Sequence, residues 1–131
     1  MLRAIRDELP AEDLIYVGDS GFAPYGDRSH EFVQGRAAAI TESLLAKGSK
    51  AIVVACNTAT GIAVDLLRSR FPAVPIVAVE PAVKLAVAKT KSGVVGVLAT
   101  SGTLSSANVT RLLNKYGVDV EILTQAAPEL V

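Results

Sequence analysis

Three short apolar runs, AIVVA (51–55), PIVAV (75–79) and GVVGVLA (93–99), each give way within a few residues to a stretch with helical spacing. Apolar runs without alternation fit strands buried on both faces, as in a parallel sheet. Parallel neighbours need long crossovers, and helices supply them. This repeated switch of period constrains the chain more than any other feature. It predicts one α/β domain over residues 1–131, a parallel sheet flanked by helices in a flavodoxin-like three-layer arrangement.

The helical stretches carry their own punctuation. In SHEFVQGRAAAITESLLAKG (29–48), Ser29 is placed to cap and Glu31 to meet the positive end of the dipole. Val33, Ala37, Ile40 and Leu44 step along one face, and Gly48 closes the helix in a left-handed cap. Ile62, Ala63, Leu66 and Leu67 mark a second helix ending before Pro72. Residues 81–90 and 104–117 give two more, the first with Pro81 suited to its opening turn. LIYVGDS (14–20) reads as a strand, VDVEIL (118–123) as an edge strand, and MLRAIRDELP as a short helix with Leu2, Ile5 and Leu9 on one face.

Composition narrows the function classes. Thirteen basic side chains balance thirteen acidic ones, so no net field favours nucleic acid or anionic lipid. One cysteine cannot close an internal disulfide, and zinc would need more ligands than the lone His30. No apolar stretch reaches membrane-spanning length and no signal pattern opens the chain, so a cytoplasmic location is expected, without nucleic acid or membrane partners.

In parallel α/β sheets, ligands bind at the carboxyl ends of the strands. Three polar clusters fall there: GDSGFAPYG (18–26), CNTAT (56–60) and ATSGT (99–103). Cys56 is either a small packed side chain or a thiolate beside the free N–H groups of the next helix, which favour an anion. Asn57 and Thr58 either cap that helix or hold a carboxylate. Pro24 and Gly26 make a stiff turn presenting Tyr25. Thr100, Ser101 and Thr103 offer hydroxyls for capping or for an oxyanion, and Glu80 is a conceivable acid–base group. Asp19 and Ser20 read as a strand end.

Together and in this order, YVGDSGFAPYG (16–26), IVVACNTAT (52–60) and VGVLATSGT (95–103) resemble the aspartate/glutamate racemase superfamily, most closely its glutamate-specific members. The resemblance implies a cofactor-independent isomerase interconverting L- and D-glutamate and supplying D-glutamate for peptidoglycan. It implies two similar domains with one cysteine each, on opposite faces of the substrate Cα. On that match Cys56 is the catalytic acid/base of the first domain. Tyr25, Gly26, Asn57, Thr58, Thr100 and Thr103 are substrate-binding. The family pattern opens with a further strand and adds a second domain, neither of which matches a segment here. The resemblance therefore predicts that the chain alone does not racemise glutamate, unless a homodimer brings two Cys56 together. An interior strand missing from the sheet would leave unpaired backbone groups. Aspartate or hydantoin racemase relatives, or a non-catalytic ligand-binding module, are the alternatives. All of these readings place Cys56 in one cleft with Tyr25 and Asn57.

Overall fold

The computed structural model describes residues 1–127; the last residues of QAAPELV, 128–131, lie outside the described residues. The order is α1 (Leu2–Glu8), α2 (His30–Ala46), β1 (Ile52–Val54), α3 (Asn57–Arg70), β2 (Ile76–Ala78), α4 (Val83–Lys89), β3 (Val94–Ala99), α5 (Ser101–Leu104), α6 (Ala107–Tyr116) and β4 (Glu121–Ala126). Among the described residues all strand pairing is parallel, and helices flank the strands, as an α/β chain requires.

The sheet is divided. β1 pairs with β2, β3 pairs with β4, and the two pairs form separate two-stranded sheets. Among the described residues β1 has no strand on its other edge. LIYVGDS, expected as a strand, has no regular structure, and Leu14, Ile15, Tyr16 and Val17 are exposed. β-rich composition makes a strand only where a partner edge offers hydrogen bonds, and among the described residues none pairs with this segment.

The covering of β1 also departs from expectation. Ile52 and Ile76 are paired neighbours buried with Ala38 of α2 and Leu67 of α3. Val53 and Val77, paired on the opposite face, are 45% and 54% exposed. Both-face burial fails because α2 and α3 pack on a single side. β3 behaves likewise, burying Val95 while Leu98 stays exposed.

α2 follows its sequence closely. The Ser29 side chain accepts the Phe32 N–H, and Gly48 takes φ 86 just past the helix end. Its buried positions are Val33, Ala38 and Thr41, and Ala37, Ile40, Thr41 and Leu44 line a cavity of about 590 Å³. That cavity follows the free edge of β1 from Ser49 to Cys56 and is walled by Leu2, Ile5 and Leu9 and by residues 12–19. The expected helix 104–117 runs as α6 from Ala107, capped by Ser106, and the separate short helical turn α5, capped by Thr100, precedes it. α4 begins at Val83 rather than Pro81, and the last strand runs 121–126, three residues later than its alternation suggested.

Candidate active site

Cys56 stands where β1 hands over to α3. It occupies the N-cap position in extended conformation (φ −139, ψ 123), and its carbonyl accepts the Thr60 N–H at 2.8 Å. The side chain makes no capping bond, so the sulfur is left to its surroundings. It is partly buried against Val33, Ala59 and Ile62, with Tyr25 and Phe32 in the same cluster. The side chain packs on the core and also lines the cavity, as does Tyr25.

Tyr25 is presented by the turn at Ala23–Pro24, whose peptide bond is cis. Its hydroxyl donates to Oδ2 of Asp19. Asp19 in turn accepts two bonds from Arg36 of α2, Nε to Oδ2 at 3.0 Å and a terminal guanidinium nitrogen to Oδ1 at 2.6 Å. The guanidinium hydrogen bonds hold the Asp19 carboxyl below its ordinary value, outweighing burial. Burial and then the Asp19 carboxylate push the Tyr25 phenol up to about 12. At neutral pH the phenol is therefore a neutral donor. The Arg36 guanidinium also lies 3.7 Å from the centroid of the Phe22 ring.

The third cluster closes on the second through hydroxyls. Thr58, Thr100 and Thr103 form a buried triangle, with oxygen separations of 2.9, 3.1 and 3.0 Å. The Thr100 oxygen also accepts the Thr103 N–H, so capping and clustering share one atom. Gly26 lies directly over this triangle: a Cβ there would sit 3.0 Å from Cβ and Cγ2 of Thr100, a spacing only glycine accommodates without displacement. The carbonyl of Gly26 also approaches Gly102.

The structure thus gathers Cys56, Tyr25, Gly26, Thr58, Thr100 and Thr103 at one end of the sheets. The single shared cleft needs correction. Cys56 and Tyr25 line the cavity, whereas Asn57, Gly26, Thr58, Thr100 and Thr103 do not. Asn57 is exposed, because one step along a helix rotates its side chain away from that of Cys56. The three threonine hydroxyls are spent on one another. Glu80 is exposed, apart from this group.

Sequence reasoning missed Arg36 and treated Asp19 as a strand end. A usable signal was present: Phe32 and Arg36 are four apart and share a helix face, and the preceding turn carries the acid to meet the base. Among the described residues, no group of three or more His, Cys, Asp or Glu is placed to hold a metal ion. No helix among them is long and apolar enough to cross a membrane.

Comparison with known proteins bears on this cluster. The profile of the Asp/Glu/Hydantoin racemase family matches residues 1–130. Glutamate racemase of Ectopseudomonas mendocina is 56% identical over 131 residues, which is 100% of this chain and 50% of that protein. The crystal structure of Escherichia coli glutamate racemase, in complex with L-glutamate and the activator UDP-MurNAc-ala, superposes with a TM-score of 0.87 at 35% identity. It covers 96% of this chain and 47% of that one. Glutamate racemase from Aquifex pyrophilus gives 0.84 at 34% identity, covering 99% of this chain and 51% of that one. The chain spans about half the length of the relatives it matches. With a family profile matched over nearly every residue, the chain belongs to the Asp/Glu/Hydantoin racemase family.

Proposed function

We propose that this chain is the first domain of a cofactor-independent glutamate racemase, with Cys56 as one of its two acid/base groups. The observation that carries this reading is the position of Cys56: a thiol at the start of α3, uncommitted to capping, beside the Tyr25 turn. Relatives named for glutamate, 56% identical and as long again as this chain, favour glutamate over aspartate or a hydantoin. The Escherichia coli structure holds L-glutamate.

The chemistry follows from the acidity problem. An amino-acid α-proton is a far weaker acid than a thiol, so its removal needs a site poor in water and rich in donors where carbanion charge develops. In this reading the Cys56 thiolate takes the proton from one face of Cα, and a second thiol, outside this chain, returns one to the other face. The backbone N–H groups opening α3, at Asn57 and Thr58, receive the substrate carboxylate. Gly26 and the backbone of the turn close over it, while Thr100 and Thr103 fix Thr58 in place. The product would serve peptidoglycan assembly in the cytoplasm.

One thiol cannot serve both faces of a carbon, so the chain by itself exchanges at most one proton and does not racemise. The test incubates it with L- and D-glutamate in deuterated water and follows α-proton exchange and optical rotation. Exchange of one enantiomer without inversion, lost in Cys56→Ser, supports the reading. Sustained inversion that Cys56→Ser abolishes refutes the one-base assignment, and inversion that falls steeply on dilution assigns the second base to a homodimer. No exchange, with slow iodoacetamide labelling of Cys56 and no protection by glutamate, favours a non-catalytic module.

A further inference from the structure

Arg36 makes no hydrogen bond to Cys56 or the threonine triangle among the described residues, and it grips the turn that carries Tyr25 at two points. Its fork meets both oxygens of Asp19, and its flat face covers Phe22. Asp19 is itself tied into the turn, its carbonyl accepting the N–H groups of Phe22 and Ala23 at 3.0 Å each. The carboxylate is mostly buried, 14% exposed, and needs the guanidinium as its counter-charge. The side of Oδ2 not used by Arg36 accepts the Tyr25 hydroxyl.

We propose that Arg36 is a positioning residue for the Cys56 site: it holds Asp19, Asp19 holds Tyr25, and the 22–26 turn thereby stays closed on α2 with the Tyr25 ring beside the thiol. This rests on reading the Cys56 cluster as a substrate site. A consequence follows for Tyr25. Its hydroxyl is already donated, so it meets a ligand through its ring and the turn backbone, not as a proton donor. A bidentate fork is what makes the hold directional, and a lysine, a point charge on a flexible stem, does not reproduce it.

The whole chain is tested as Arg36→Lys, Asp19→Asn and the double variant. The first readout is the Tyr25 hydroxyl proton in protein with isotope-labelled tyrosine. Held against a carboxylate, it exchanges slowly enough to be observed in the wild type and is lost in Arg36→Lys. The second is iodoacetamide labelling of Cys56 against rising D-glutamate. The midpoint of protection rises roughly tenfold in Arg36→Lys, the loss of about one charge-assisted hydrogen bond. The double variant is no worse than Asp19→Asn, because both substitutions cut one chain. An unchanged Tyr25 resonance in Arg36→Lys overturns the proposal. A lost resonance with an unchanged midpoint overturns it as well, since the relay then has no hold on the site. If glutamate does not protect wild-type Cys56, the substrate reading fails, and the resonance alone decides whether Arg36 positions Tyr25. Should Arg36→Lys not fold, Arg36→Gln is read in its place with the same outcomes.

Discussion

The hydroxyl of Thr58 lies 2.9 Å from that of Thr100, joining the start of α3 to the end of β3 across 42 residues of chain. With β1–β2 and β3–β4 forming separate sheets, this buried contact is one of the ties between the two halves. Thr58→Val removes the oxygen that both Thr100 and Thr103 approach and leaves their hydroxyls short of a partner. We expect a loss of about 1 to 3 kcal/mol, measured by urea unfolding. Thr58→Ser keeps the oxygen and recovers most of it.

Helix α3 also meets α6 at a position that tolerates no side chain. A Cβ on Gly61 would stand 2.6 Å from Cβ of Ser106, the residue whose side chain caps α6 by accepting the Val109 N–H. Gly61→Ala is expected to destabilise by about 1 to 3 kcal/mol through overpacking. Adding Ser106→Gly removes the clashing atom and costs the cap only a few tenths of a kcal/mol, so the double variant unfolds at higher urea than Gly61→Ala alone.

Burial of the Tyr25 phenol, and after it the bond to Asp19, gives an alkaline signature. Tyr25 has its folded value raised to about 12 from 10.0, so folding favours the protonated phenol. Its contribution is complete below pH 10 and is lost as the pH rises through about 12. The denaturation midpoint should fall more steeply across that window in the wild type than in Tyr25→Phe. A pair of parallel curves would show that the folded phenol is neither buried nor held by Asp19.

Core and site should separate cleanly under substitution. Leu67 is 1% exposed between β1, β2 and α2, and Leu67→Ala is expected to cost about 2 to 5 kcal/mol. Cys56, only partly buried, should tolerate Cys56→Ser with less than about 1 kcal/mol lost while losing its reaction with iodoacetamide under native conditions. A Cys56 that reacts only after unfolding would contradict its placement at the cavity end.

The sequence by itself determined what is local. Helix α2 is set by Ser29 and Gly48, the three apolar runs became β1, β2 and β3, and Cys56 was fixed at a strand-to-helix junction. Spacing and capping act within a few residues, so one stretch of chain contains all the information they need. Tertiary structure alone decided the rest. LIYVGDS has strand composition, but a strand is a relation between two edges, and among the described residues this segment pairs with none. Val53 is as apolar as Ile52, yet only one face of β1 is covered by helices. Asp19 and Arg36 are ordinary charges when read in order. They become a pair only when the turn folds back on α2, because an ion pair's worth depends on distance and burial, which no single segment encodes.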